Sequence, residues 1–400
     1  MIQRKEYLDQ LISWREKQLI KVVSGVRRCG KSTMFALFIE YLKSTGVSDE
    51  QIISVNLENI DFDSLLDYKS LYNYIKECLC SDKYTYVFID EAQQCNGFEK
   101  AIDSLFIKPN VDVYITGSNA YMLSGELATM LSGRYVEIKM LPLSFAEFSE
   151  ATINNQSTAE KFQSYIKHGG FPYITAIAND DSVINTYIDG IYNTILVKDV
   201  AKREGINDIA VLEDITKFLC SNIGSPVSIK KISDYINANG RSISVNTVER
   251  YIRALTDSFI FYKADRYDIK CKQLLKTLGK YYIVDTSLRN LLLSNSAADI
   301  GHVLENIVYL ELLRRGNKVN IGKLAEKEID FTAQDHDGIT YYQVSATVLD
   351  ENTLRRELEP LDKIPDHYPK ILLTMDVVGS DMNYNGIKQK NIIDWLLDKQ

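Results

Sequence analysis

Residues Gly25-Val26-Arg27-Arg28-Cys29-Gly30-Lys31-Ser32 fit the pattern G-x-x-x-x-G-K-[ST], and their surroundings are those the pattern needs. Leu19–Ser24 ahead of them reads as a buried strand, and Met34–Leu42 behind them as a helix with an apolar face. Glycines let the backbone of such a loop pass close to phosphate oxygens. The helix that follows presents free N–H groups and the positive end of its dipole. Gly25, Arg28, Cys29, Gly30, Lys31, Ser32 and Thr33 are therefore expected around a nucleoside triphosphate, with Lys31 on the β- and γ-phosphates and the Ser32 hydroxyl on Mg2+. Arg27 and Arg28 suit a phosphate or a neighbouring acid equally.

Four more strands are expected, at Gln51–Leu57, Tyr84–Glu91, Val111–Gly117 and Arg134–Met140, with helical segments between most of them. That alternation implies a doubly wound parallel α/β sheet with its ligands at the carboxyl ends of the strands. The second of these strands runs through four hydrophobic residues into Asp90-Glu91. Such an ending places Asp90 in the Mg2+ shell and Glu91 where it polarises an attacking water. Thr116-Gly117-Ser118-Asn119 falls where a polar side chain orients that water, so Ser118 and Asn119 are candidates. Arg134 suits transition-state charge, in cis or across a subunit boundary.

Beyond Pro142 the first module is expected to end near residue 150, followed by a mostly helical connector over 151–206. His168-Gly169-Gly170-Phe171-Pro172 interrupts it as a turn. From 207 to 292, helices at Ala210–Ser221, Ile229–Asn237 and Val245–Asp257 precede strands at Phe259–Ala264 and Lys280–Val284. This is the order of a winged helix-turn-helix. Between Pro226 and Tyr282 eleven basic residues face five acidic ones, a local excess of +6 in a chain of net charge −8. Lys230, Arg241, Arg250, Arg253, Lys270 and Lys272 are thus candidate contacts to duplex DNA, while a protein-docking role for the same module is left open.

Residues 298–400 read as a small α/β domain with Glu305 on its first helix, Asp330 in a hairpin and Gln343 on the next strand. A Glu, an Asp and a strand acid followed two residues later by Lys would form a metal-dependent nuclease site. Gln343 and Ser345 stand at the last two of those positions, so a degenerate domain is expected, with cleavage as the minority reading.

The overall acidity excludes a general nucleic-acid coat. Six scattered cysteines without a C-x-x-C pair suit a reducing compartment, and no apolar run reaches a membrane span. A cytoplasmic location and no membrane partner are expected.

The G-V-R-R-C-G-K-S-T loop, I-D-E-A-Q, T-G-S-N, S-G-R-Y and L-P-L-S-F-A-E-F, with G-G-F-P, K-D-V, S-V-N-T-V-E-R-Y-I and K-Y-Y-I-V-D further on, resemble bacterial and archaeal AAA-type ATPases. Those proteins carry a C-terminal domain of uncharacterised function. The resemblance spans nearly the whole chain. It implies ATP and Mg2+ as cofactors, and an ATPase of the type with an added central strand and a glutamate base. It also implies a winged helix and a terminal domain similar to the restriction-endonuclease-like PD-(D/E)xK superfamily. The expected activity is ATP hydrolysis controlling a DNA-engaging C-terminal half. A STAND-like switch for a protein partner and an ATP-regulated nuclease are the alternatives, and a homo-oligomer is left open.

Overall fold

A computed structural model describes residues 2–119, 133–152, 156–177, 180–202, 204–293 and 299–397. Ser132 of the expected S-G-R-Y run, and the side chain of Lys276, lie outside the described residues. The chain divides into two compact units, residues 1–142 with 257–259, and residues 143–256 with 260–400.

The first unit holds five parallel strands, β1 (Ile20–Ser24), β2 (Ile52–Asn56), β3 (Thr85–Asp90), β4 (Val111–Gly117) and β5 (Tyr135–Lys139), in the order β2-β3-β4-β1-β5. β1 and β3 are buried along their whole length, which explains the apolar run Tyr86–Ile89 of β3 and the apolar residues of β1 around Lys21. Helix α1 (Lys5–Ser13) precedes the sheet and α2 (Lys31–Ser44) follows β1. On one face Phe35 and Phe38 of α2 pack edge-on against Phe88, which stacks on Tyr114 at 4.9 Å. On the other, α3 (Tyr68–Glu77) and α4 (Phe98–Phe106) bury Leu71, Ile75, Ile102 and Leu105 against Val22, Val55, Val87, Ile89 and Ile115. Burial of side chains of this size stabilises by about 1.5–3 kcal/mol each. β4 separates β1 from β3, so the phosphate loop and Asp90 stand at the carboxyl edge with one strand between them.

Lys21, the second residue of β1, is fully buried, as the reading of Leu19–Ser24 as a buried strand requires of it. Its ammonium pairs with Asp112 on β4, and the Tyr114 hydroxyl donates to the same carboxylate at 2.7 Å. The pair is tolerated because each charge finds its partner and hydrogen bonds inside the sheet.

The second unit begins with α5 (Phe145–Ala151), α6 (Thr158–His168), α7 (Ile174–Ile177) and α8 (Asp181–Thr194), which runs on as a π-helix over Ile195–Lys202. Then come α9 (Ile209–Ser221), α10 (Ile229–Ala238) and α11 (Val245–Asp257), followed by the hairpin β6 (Phe261–Asp268) and β7 (Gln273–Ile283). The hairpin strands are longer than their sequence suggests, because only Ile269–Lys272 turn between them. After α12 (Thr286–Leu293) and α13 (Ile300–Arg314) lie β8 (Lys318–Leu324), β9 (Lys327–Gln334), β10 (Ile339–Ser345), α14 (Glu351–Asp362), β11 (Lys370–Thr374), β12 (Asn383–Tyr384), β13 (Ile387–Asn391) and α15 (Ile392–Leu397).

All eight strands form one sheet, β12-β13-β11-β10-β9-β8-β6-β7. β6 pairs in parallel with β8 through Arg266, Tyr267 and Asp268, so the hairpin of 207–292 and the strands of 298–400 share a sheet. Ile269, Ile329, Tyr341, Leu361, Ile364 and Leu372 form the core beside α14.

His168 closes α6 and pairs with Asp181 at 2.8 Å. Asp285 is wholly buried, accepting from Gly170 N at 2.7 Å and from Ser287 N at 3.0 Å. Burial outweighs these bonds and pushes its carboxyl up to about 6. The folded chain therefore holds this proton more tightly than the unfolded chain. Stability falls as pH rises through the window from about 4 to about 6, by about 3 kcal/mol. Melting temperatures across pH 4–7 check this: Asp285→Asn is expected to flatten the decline, and an unchanged profile contradicts it.

Candidate active site

β1 ends at Ser24, and the loop to α2 turns back beside the end of β5. Gly25 has φ +154°, and a Cβ there would lie 2.1 Å from the Met140 carbonyl oxygen, so no larger residue fits this approach. Gly30, φ +105°, opens the amino end of α2. Ser32 and Thr33 of its first turn are exposed. Lys31 is buried and folds back across the loop. Its ammonium donates to the carbonyls of Gly25 at 2.9 Å and Val26 at 3.2 Å, and lies 4.0 Å from Glu91 Oε1.

Asp90 ends β3, where the Thr116 hydroxyl donates to its Oδ1 and Asn56 Nδ2 to its Oδ2 at 3.3 Å. Glu91 takes a left-handed backbone, φ +54°, and its N–H donates to Thr116 Oγ1 at 2.9 Å. This bend turns its carboxylate toward the loop, where Oε2 accepts from the Gln93 amide and from Ser118 Oγ at 3.3 Å. Burial lifts the Glu91 carboxyl above its ordinary range, opposed by the nearby charges of Lys31 and Arg27. Asn119 is buried just past the end of β4. Lys31, Asp90, Glu91 and Ser118 thus converge at one edge of the sheet. A glycine cradle, a lysine, exposed hydroxyls and a strand-end carboxylate together make the donor set that Mg2+ and a triphosphate need.

Arg134 requires a correction. Its carbonyl accepts from Ile20 N at 2.8 Å, at the start of β1 and β5, the sheet edge opposite the phosphate loop. Its guanidinium pairs with Asp103 at 2.9 Å, so it has no part in cis at this site. Arg27 takes the neighbouring-acid option, bonding Glu58 at 2.8 Å, whereas Arg28 is exposed with φ +68°. Cys29 is buried and its thiol pushed upward by burial, so its place in the loop is a packing one. Its carbonyl accepts from Arg4 at 3.0 Å, and Arg4 also donates to Pro142 O at 3.1 Å, tying the start of the chain to the loop. Arg4, Asn56, Gln93 and Thr116 were missed as site residues. For Asn56 and Thr116 a signal existed: both are polar residues at or near the carboxyl ends of strands flanking β3.

In the second unit the candidate basic residues separate. Lys230, Lys231, Arg250, Arg253, Lys270 and Lys272 are exposed, and α11 buries Val248, Tyr251, Ile252 and Leu255 while leaving Asn246, Arg250 and Arg253 outward. Arg241 is held by Asp214 at 3.4 Å and Asp208 at 3.8 Å, and Lys263 by Asp265 at 2.7 Å. Lys280, counted in the basic excess, is buried and belongs to a different cluster.

That cluster contains Glu305 and Asp330, with Gln343 beside it. Lys280 Nζ lies 2.9 Å from Glu305 Oε1 and 3.0 Å from Glu328 Oε1. The Tyr282 hydroxyl also donates to Glu305 Oε1. Asp330 accepts from Val344 N at 2.8 Å, and burial beside Glu305 raises its carboxyl well above the ordinary value. Gln343 donates to Glu357 at 3.0 Å, and the Ser345 hydroxyl donates to the nearby Thr347 carbonyl at 3.1 Å.

The sheet order, loop and strand-end carboxylates define the first unit as a Walker-type ATPase fold. The family described as AAA domain matches residues 17–149, and a domain of unknown function (DUF8612) matches residues 159–299. An uncharacterized protein of Haemophilus influenzae is 41% identical over 401 residues, covering 99% of each chain, and this chain belongs to the same family as that protein. Uncharacterized protein MJ1544 of Methanocaldococcus jannaschii is 29% identical over 334 residues, covering 78% of this chain and 71% of its own. The Walker-type ATPase PABY2304 of Pyrococcus abyssi shares the fold, with a TM-score of 0.52 and 15% identity, covering 73% of this chain and 96% of that one. Among the described residues no helix is long and apolar enough to cross a membrane.

Proposed function

We propose that this chain is a Mg2+-dependent ATPase whose nucleotide state controls a C-terminal half that engages duplex DNA. The convergence of Lys31, Asp90, Glu91 and Ser118 beside the Gly25 cradle carries the reading. Lys31 would hold the β- and γ-phosphates, and Ser32 and Asp90 would hold Mg2+, which supplies charge neutralisation when bound. Glu91 would take the proton of the attacking water, oriented by Ser118 and Asn119. A ligand that draws Lys31 away from the Gly25 and Val26 carbonyls also removes it from Glu91, so binding and readiness of the base are linked through one side chain.

DNA engagement is supported by the three-helix-and-hairpin order of 209–283, read as a winged helix, and by its exposed basic residues. α11 would enter the major groove through Asn246, Arg250 and Arg253, and the hairpin lysines Lys270 and Lys272 would meet phosphate.

The test is ATP turnover with and without duplex DNA at low and moderate salt, alongside DNA affinity across the same salts. Turnover that changes with DNA is expected. Lys270→Ala with Lys272→Ala is expected to lower the salt slope of DNA affinity by about two. Hydrolysis indifferent to DNA at both salts would move the reading to a nucleotide-gated switch for a protein partner.

A further inference from the structure

The nuclease-like positions of the second unit lack a lysine at Ser345, yet their carboxylates do not lack a cation. We infer that Glu305, Glu328 and Asp330 form a divalent-cation type of carboxylate cluster in which the ammonium of Lys280 takes the place of the ion. The lysine comes from β7, far in sequence from the hairpin acids of β9, and only the shared eight-stranded sheet brings it to them.

Geometry favours an ammonium over a metal. Lys280 is 3% exposed and bonds Glu305 and Glu328 within 3.0 Å, so the centre of the cluster is filled by a fixed positive charge. Tyr282, which donates to the same Glu305 oxygen, is stacked on Tyr309 at 4.2 Å and packs on Phe331, walling the charge in. One Asp330 oxygen, Oδ2, is engaged by Val344 N at 2.8 Å. Among the described residues the acidic group whose ligand atoms lie within 4.8 Å of one another is Asp335, His336 and Asp337, in an exposed turn. Glu305, Glu328 and Asp330 form no such group. A cation entering beside Lys280 would meet like charge, whereas removing Lys280 takes the buried ammonium from Glu305 and leaves it the Tyr282 hydroxyl and, at 3.8 Å, His302.

The experiment is Mn2+ titration of the 400-residue chain without nucleotide, read by the EPR signal of free Mn2+ and by thermal melting. Comparing each protein with its Asp330→Asn counterpart isolates this cluster from the phosphate loop. Wild type is expected to show no Mn2+ site sensitive to Asp330→Asn and no Mn2+-dependent cleavage of plasmid. Lys280→Ala is expected to melt lower than wild type and to gain Mn2+ affinity by about tenfold or more. Mn2+ should restore part of its melting temperature, and Asp330→Asn should erase the gain. Lys280→Gln keeps a donor toward Glu305 and serves if the alanine variant does not fold. An Asp330-dependent Mn2+ site or cleavage in wild type overturns the inference. So does a folded Lys280 variant that gains no Asp330-dependent Mn2+ binding.

Discussion

Replacing Glu91 by glutamine is expected to reduce ATP turnover by about two to four orders of magnitude while leaving nucleotide affinity within a few-fold of wild type. The amide keeps the shape of the side chain and can still meet Gln93 and Ser118, so the loop geometry survives. It cannot accept a proton from water, and that is the step assigned to the carboxylate. Lys31 and Ser32, which would hold the phosphates and Mg2+, are untouched. Removing a negative charge 4.0 Å from Lys31 would, if anything, favour a triphosphate. Single-turnover hydrolysis with equilibrium binding of a fluorescent ATP analogue separates the two effects. Turnover within about tenfold of wild type would sink the assignment of Glu91 as the base. Burial raises the Glu91 carboxyl, so the acid limb of the wild-type rate profile is expected above the ordinary glutamate range.

Gly169→Ala is expected to destabilise the second unit by about 4 kcal/mol or more, among the largest effects of a single methyl group. The added Cβ would lie 1.8 Å from Asp285 Oδ1 and 2.6 Å from its Cγ, well inside contact distance. Neither side has an easy retreat. Gly169 has φ +77°, where a side chain is strained, and Asp285 is fixed by Gly170 N, Ser287 N and the Ser287 hydroxyl. Urea unfolding of the soluble protein measures the loss, and soluble yield reports it if folding fails. Asp285→Ala added to Gly169→Ala should recover part of the stability, because it removes the atoms in the way. A Gly169→Ala protein that melts within a few degrees of wild type would show that Asp285 can yield to a methyl group at this turn.

Legibility in the sequence followed how local the chemistry is. The phosphate loop could be read because its glycines, lysine and hydroxyl are consecutive, and a strand before and a helix after are enough to place them. Asp90 and Glu91 could be read because four buried residues ending in two acids describe a strand end. The cysteine and the second arginine of the loop were harder: Cys29 packs inward and Arg27 meets Glu58, choices made by what lies against the loop. Arg134 misled because closeness to a conspicuous run in the sequence says nothing about which edge of a parallel sheet a residue occupies. Its place at the start of β5 puts the length of a strand between it and the loop.

Sequence alone determined the parallel sheet of the first unit and the placement of Lys31, Asp90, Glu91 and Ser118 at its carboxyl edge. It did so because buried strands, helix starts and glycine turns are each encoded within a few neighbouring residues. Tertiary structure alone decided the rest. It set Thr116 and Asn56 on Asp90, drew Lys21 inside the sheet to Asp112, and joined the hairpin of β6 and β7 to the strands of the C-terminal segment. It also carried Lys280 out of the basic surface into the acids of Glu305 and Glu328. Each of these is a pairing between charges or donors far apart in the chain, and in a low-dielectric interior such groups settle where their partners are.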